Sequence, residues 1–462
     1  MPHGKTWQVV AVSAAIGLAV SVGAVAAAGP WESGQRTAER RLAADRDQHA
    51  DGHAAHRSPG AAAGRPTVTP PAPSAPPVLA AAGAGTPPAA NALAARLDPL
   101  MAAQGLGPVR TGVVIDAATG QVLYDHQSGR ASTPASTTKL ATAAAALATL
   151  GPDHRLATTV VATGAHRIVL VGGGDPTLVP EQLAADTAAA LKARGTTSVR
   201  LGYDTSYFSG PVMHPIGTNT NLSPVTALMV REGRLDDSAS GPADRADDPA
   251  RSAAEAFASL LRGHGITVTG QPTPGRGAGG TQLAVHQSGT LSALVERMLT
   301  NSDNDIAEAL ARQVAHAAGQ PASFAGGAKA VGAALRRLGV PLGGAVFTDG
   351  SGLAHADALS AVTLARILAL AADPHHPELR AILTGLPVAA FTGTLSSRFQ
   401  ASPGAGLVHA KTGTLTGTNT IAGTTVTPSG RLLTFAFMTE GTTNPPTAQS
   451  ALDHLATALT QP

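Results

Sequence analysis

The chain contains no cysteine. That absence excludes disulfides, thiolate catalysis, zinc fingers and Cys-ligated clusters together. Charge is also scarce: Asp, Glu, Lys and Arg make up 13 % of 462 residues, with a formal net charge of +2. No basic block of the kind that neutralises phosphates occurs, which argues against a nucleic-acid partner. Aromatic residues are 3 %. Lysine is the most telling scarcity. Of 32 basic residues only five are Lys: Lys5, Lys139, Lys192, Lys329 and Lys411. Where Arg stands almost everywhere else, a retained Lys draws attention, because an amine can lose its proton and a guanidinium cannot.

Gly (52) and Pro (34) are abundant, and the Pro cluster near the amino terminus. Residues 47–92 are mostly Ala, Pro, Gly, His and Ser, punctuated by Pro70-Pro71, Pro76-Pro77 and Pro87-Pro88. Such a stretch cannot bury enough apolar surface to offset its conformational entropy. It is expected to be a spacer, within a disordered linker over 31–92. His49, His53 and His56 are too dispersed to suggest a metal site. Before the linker, Trp7 to Pro30 is an uncharged apolar run of membrane-spanning length, bracketed by Trp7 and Trp31. Residues 1–30 are therefore expected to be a transmembrane anchor or, given the small residues Ala26-Ala27-Ala28, a cleaved export signal. The four Arg between residues 36 and 46 do not favour export on charge alone.

The remainder reads as an α+β domain. Val113–Asp116 and Gln121–Tyr124 form a hairpin pattern, and so do Thr420–Val426 and Leu432–Met438. Between them lie helical patterns over Ser136–Leu150, Asp248–His264, Leu291–Leu299, Asp305–Val314 and Leu359–Ala371, with a last one over Thr447–Leu459. Strands at both ends and helices between predict one sheet assembled from distant segments. Gly270–Gly280 lacks the strand–turn–helix setting of a phosphate loop and reads as a connector.

Three short motifs carry chemistry, and two use a retained Lys. Ser136-Thr137-Thr138-Lys139 opens a helix. Residues three apart share a face, so Lys139 can reach the Ser136 hydroxyl. A Ser needs such a base to become a nucleophile, and a Lys serves if burial and a nearby second cation lower its pKa so that the amine is free of its proton. Ser302-Asp303-Asn304 lies in a polar turn before a helix. Lys411-Thr412-Gly413-Thr414 enters the final strand pair, where Gly413 would let a substrate backbone lie close. Alone, the first motif is as easily a solvated helix face and the second a helix cap.

Taken in order, the set resembles the active-site serine enzymes that include β-lactamases and penicillin-binding proteins. Ser136 and Ser302 are 166 residues apart, and Lys411 follows Ser302 by 109. A first gap this long is similar to that of the D-alanyl-D-alanine carboxypeptidase/endopeptidase family related to penicillin-binding protein 4, serine peptidase family S13. Further segments match in kind: Gly172–Leu178, Pro224–Leu228, Asp349-Gly350-Ser351-Gly352-Leu353, Leu386-Pro387-Val388, Gly393-Thr394-Leu395 and Arg398-Phe399. The resemblance implies a β-lactamase/transpeptidase-like antiparallel sheet with helices, in two parts, 93–155 and 285–462, around an inserted domain over 156–284.

It also implies roles. Ser136 would attack the terminal D-Ala–D-Ala carbonyl, with Lys139 as general base. Ser302, helped by Lys411, would relay a proton to the departing amine. Asn304 would hold the stem-peptide amide. Lys411, Thr412 and Thr414 would bind the terminal carboxylate beside Gly413. The backbone N–H groups of Ser136 and Thr414 would form an oxyanion hole. No metal or other cofactor is implied. The implied partners are peptidoglycan stem peptides and β-lactams as acylating inhibitors, outside the cell membrane or in the wall. Where the family carries Ser-Arg after the Asp349–Leu353 segment, this chain has Ala354-His355. His355 is thus an open candidate for side-chain specificity, and Asp204 and Tyr207 are further pocket candidates. A β-lactamase is disfavoured by the long insert and by the lack of a Glu-x-x-x-Asn motif. A non-catalytic wall-binding protein is disfavoured by the intact motif set.

Overall fold

The computed structural model describes residues 85–217 and 219–461. The anchor or signal over 1–30 and most of the 31–92 linker lie outside the described residues. Among the described residues, no helix is long and apolar enough to cross a membrane. Helix α1 (Ala90–Met101) begins inside the stretch assigned to linker.

The first hairpin is β1 (Val109–Asp116) and β2 (Val122–His126), followed by the short β3 (Ala131–Ser132). A 3₁₀ turn over Ala135–Thr137 runs into α2 (Thr138–Leu150). Next come β4 (Ala157–Gly164), β5 (Arg167–Val171), α3 (Glu181–Ala193), β6 (Ser198–Asp204) and α4 (Pro249–Gly263). The short β7 (Thr267–Val268) and β8 (Thr273–Pro274) precede β9 (Thr281–Gln287). Then follow α5 (Leu291–Asn301), α6 (Asn304–Ala317), α7 (Phe324–Arg337), β10 (Leu359–Ser360), α8 (Ala361–Ala372) and the one-turn α9 (Ala381–Thr384). Strands β11 (His409–Leu415), β12 (Thr418–Val426) and β13 (Leu432–Glu440) and helix α10 (Pro445–Ala458) complete the chain.

The two ends of the sequence build one antiparallel sheet in the order β11-β12-β13-β1-β2. Its strands read as nearly unbroken apolar runs because both faces are covered. Val113, Ile115, Ala422, Ala436 and Met438 face a core shared with α2, α5, α6, α7 and α8. Their alternates Val114, Ile421, Phe435 and Phe437 meet Leu93 and Leu97 of α1 and Leu452 and Leu455 of α10. The period-two geometry of a strand sorts one run onto two cores. Helix α2 lies inside the larger core. Its Ala-rich sequence favours helix and lets neighbours approach closely, and all residues from Thr138 to Leu147 are buried.

The expectation of a single sheet is incomplete. A second sheet joins β4, β5, β6, β7, β8 and β9. It is antiparallel at β4–β5 and β4–β9 and parallel at β5–β6. Ile168, Leu170, Val199 and Leu201 on one face pack against Leu183 and Leu191 of α3 and Phe257 and Leu261 of α4. The stretch Gly270–Gly280, read as a connector, contributes β8 to this sheet.

Candidate active site

Ser136 sits in the 3₁₀ turn that leads into α2, and one turn later Lys139 is fully buried. The Lys139 amine donates to Ser136 Oγ at 3.0 Å, to Asn304 Oδ1 at 2.7 Å and to the Ser351 carbonyl at 2.7 Å. Burial pushes its pKa down to about 8, although Asp349, Glu308, Asp303 and Asp305 pull it up. The i, i+3 reach expected from the sequence is therefore realised as a direct bond.

Ser302 ends α5 in the left-handed region, with φ 59°. A non-glycine residue in that region is strained and persists where its surroundings hold it. Asp303 caps α6 by accepting from the Ile306 N–H at 3.0 Å, as the cap reading of this motif expects. The Asn304 amide spans two segments: Oδ1 accepts from Lys139, and Nδ2 donates to the Asn221 carbonyl at 2.8 Å.

Strand β11 is an edge of its sheet and passes the Ser136 turn. The Ala410 N–H points away from β12 and donates to the Pro387 carbonyl at 2.9 Å. By strand alternation the N–H groups of Thr412 and Thr414 point the same way, towards the open edge. Lys411 is fully buried and donates to the Thr412 carbonyl at 2.7 Å. Burial, with the nearby Lys139 charge, holds its amine well below the usual Lys range. The Thr412 and Thr394 hydroxyls bond each other at 2.8 Å. Thr414 is exposed at the mouth of the site.

Gly413 has a packing reason that its place in the sequence does not show. A Cβ there would stand 2.2 Å from Thr420 Oγ1, 2.7 Å from the Pro134 carbonyl oxygen and 3.0 Å from the Ser136 nitrogen. The missing side chain makes room for the protein's own serine turn.

A cleft of about 670 Å³ opens over these residues, lined by Ser136, Ser302, Asn304 and Thr414 among others. The lining also includes Asn221, Arg234 and Arg245, from the middle of the chain. Arg245 pairs with Asp305 at 3.1 Å and Arg234 with Glu232 at 2.9 Å, all nearly inaccessible. Sequence reasoning missed these wall residues because nothing local ties them to the motifs. Ser351 lay within a segment already singled out, but its contribution is a backbone carbonyl, which composition does not reveal.

Three candidates fall elsewhere. His355 is exposed and does not line the cleft. Its carbonyl accepts from Thr133 Oγ1 at 3.3 Å, and Leu353 takes the place at the wall. Asp204 accepts from the Gly277 and Ser206 N–H groups at 2.8 and 2.9 Å, which fastens a loop of the second sheet. Tyr207 donates to Gln313 Oε1 at 2.9 Å and stacks near His316. Neither lines the cleft.

The profile of the D-Ala-D-Ala carboxypeptidase 3 (S13) family matches residues 93–243 and 236–459. Carboxypeptidase DacB of Mycolicibacterium smegmatis is 37 % identical over 416 residues, covering 85 % of this chain and 89 % of that protein. The D-alanyl-D-alanine carboxypeptidase of an Actinomadura species is 30 % identical over 432 residues, covering 73 % and 79 % respectively. Among solved structures, penicillin binding protein 4 (dacB) from Haemophilus influenzae superposes with a TM-score of 0.66 at 24 % identity, over 77 % of this chain and 98 % of that one. The fold agrees with it, and the sequence places this chain in the D-Ala-D-Ala carboxypeptidase 3 (S13) family of serine-type carboxypeptidases.

Proposed function

We propose that the chain hydrolyses the peptide bond between two terminal D-alanines of a peptidoglycan stem peptide, through an acyl-serine intermediate. The observation that carries this is the 3.0 Å bond between a buried Lys139 amine and Ser136 Oγ, with the amine pKa lowered to about 8. In its uncharged form Lys139 takes the Ser136 proton as Oγ attacks the carbonyl carbon. The outward N–H of Thr414 and the Ser136 N–H receive the developing oxyanion. The C–N bond then breaks, and the leaving D-alanine amine receives a proton by way of Ser302. Water adds to the acyl-enzyme, and its proton returns Ser136 to the hydroxyl form. Asn304, fixed between Lys139 and Asn221, holds the stem-peptide amide.

The open edge of β11 suits an extended peptide lying along the strand. Thr412 and Thr414 with Lys411 receive its terminal carboxylate. A carboxylate beside Lys411 raises the amine pKa, so substrate binding and Lys411 protonation support each other. In this reading residues 93–155 and 285–462 form the catalytic domain, and 156–284 is an insert that contributes to the lining of the cleft. A substrate in the cell wall requires export, with residues 1–30 as anchor or signal. The H. influenzae protein has been solved in complex with a β-lactam, and acylation by β-lactams is expected here on Ser136.

The test is D-alanine release from a pentapeptide ending in D-Ala-D-Ala, alongside labelling by a fluorescent penicillin. Release together with stable labelling supports the reading. Rapid penicillin turnover without D-alanine release would make the chain a β-lactamase. No label on folded protein would make it a non-catalytic wall binder.

A further inference from the structure

Behind Lys139 lies a buried cluster that the reaction steps above do not use. It comprises Glu308 of α6, Asp349 and Asp357 on either side of the turn after α7, and His214 from the middle segment, all at 4 % exposure or less. His214, Glu308 and Asp349 each bring one ligand-type atom within 4.8 Å of the others. Those atoms are already occupied, which argues against a cation site. Both Glu308 oxygens accept from the Gly350 N–H at 3.1 Å, and Oε1 accepts from the Ser351 N–H at 2.8 Å. Asp349 Oδ1 accepts from the Ser351 and Gly352 N–H groups at 3.1 and 2.6 Å. Its Oδ2 accepts from the Ala354 N–H at 2.8 Å and lies 2.9 Å from His214 Nε2. Because His214 Nδ1 accepts from the Ile216 N–H at 3.1 Å, the ring proton sits on Nε2 and is donated to Asp349.

These bonds converge on one short turn. Gly350 is wedged against α6: a Cβ would stand 2.6 Å from Ala311 Cβ and 2.8 Å from the Ala307 carbonyl oxygen. Its own carbonyl accepts from Thr142 Oγ1 of α2 at 2.6 Å. Gly352, at φ +81°, touches the Ala135 carbonyl next to the nucleophile. The Ser351 carbonyl between them is the third acceptor of the Lys139 amine.

We propose that Glu308 and the His214–Asp349 pair are positioning residues for Lys139: they fix the 349–352 turn so that the Ser351 carbonyl holds the amine against Ser136, and their negative charge tunes its proton affinity. His214 thereby makes the middle segment part of the base's support. This rests on Lys139 being the general base. The ionisable groups that face the amine are Asp303, Asp305 and Glu308 from α6 and its cap, Asp349 from the turn, and Lys411 from β11. Asp349 and then Glu308 are the strongest of the acidic influences; burial and the neighbouring Asp349 push the Glu308 carboxyl up to about 7, so it carries its charge at the Lys139 midpoint near 8.

The experiment is the pH dependence of acylation by penicillin for the full chain, E308Q, H214F and H214Q. Gln keeps an acceptor for the turn but removes the charge, so the pH of half-maximal acylation is expected to fall in E308Q by about half a unit or more. H214F is expected to slow acylation by about tenfold or more, with H214Q recovering most of the rate through its side-chain N–H. If the E308Q midpoint stays at the parent value, or H214F acylates at the parent rate, the proposal is overturned. Should E308Q fail to fold, the H214F and H214Q pair decides alone. A parent chain with no ionisation in its acylation profile would instead overturn Lys139 as the base, a separable failure.

Discussion

Gly413→Ala is the change whose consequence the structure fixes most tightly. The new methyl would meet the Pro134 carbonyl oxygen at 2.7 Å and the Ser136 nitrogen at 3.0 Å, both backbone atoms of the Ser136 turn. Relief to an ordinary 3.4 Å contact would require displacements of about 0.7 and 0.4 Å at those two atoms. Thr420 Oγ1, at 2.2 Å, must also move, yet it donates to that same Pro134 carbonyl at 2.9 Å. The turn is also confined by Gly352, which packs closely against the Ala135 carbonyl. Overpacking of this kind costs about 1–3 kcal/mol of stability. The larger effect is on rate, since misplacing a reacting atom by about 1 Å costs about 10²-fold. Acylation measured by stopped-flow with a fluorescent penicillin should therefore fall by roughly 10-fold to 10²-fold, while a thermal melt shows a folded protein of lower Tm. A Gly413→Ala protein that acylates at the parent rate would refute the account of why this residue is glycine.

The lowered Lys139 pKa gives a pH signature: acylation should rise with pH through a midpoint near 8, gaining about tenfold from pH 7 to the plateau as the amine loses its proton. Lys411→Met removes a buried amine with a strongly depressed pKa. It should raise Tm in a thermal melt, while D-alanine release falls by about 10², because in the proposed reading Lys411 receives the terminal carboxylate. Asp357 is held up to about 9 by burial and by the neighbouring Asp349 carboxylate. A raised acid contributes stability that is present below its unfolded pKa and is lost as pH rises through the folded value. Asp357→Asn imitates the protonated form and keeps the acceptor for the Thr348 N–H at 2.5 Å. Melts between pH 5 and 9 should therefore show a smaller loss of stability at the alkaline end than in the parent.

Much of the site was readable because its chemistry is local. Ser136 and Lys139 are one helical turn apart, and the bond between them follows from that spacing. The two ends of the chain announced their strands through apolar runs, and β1, β12 and β13 do join in one sheet. The second sheet was harder. Val160, Val161, Ile168 and Val169 carry a local strand signal, but β4 pairs with β9 across more than a hundred residues of sequence. The same limit hid the contacts that the middle of the chain makes with the motifs: the bonds of Asn221 to Asn304 at the cleft and of His214 to Asp349 behind Lys139 join segments that no local pattern links. Gly413 shows another limit. The sequence marks a glycine that needs space, and only the packing shows that the chain's own turn fills it. His355 stood out as a departure from a family pattern, yet position in sequence did not reveal that its side chain faces solvent outside the cleft.

The central claim is that Ser136 becomes acylated. Intact-mass analysis after penicillin treatment, followed by peptide mapping, measures this directly. The account predicts a single adduct on the peptide containing Ser136, absent in a folded Ser136→Ala protein that has also lost D-alanine release. An adduct on another residue, or D-alanine release that survives Ser136→Ala, would contradict it.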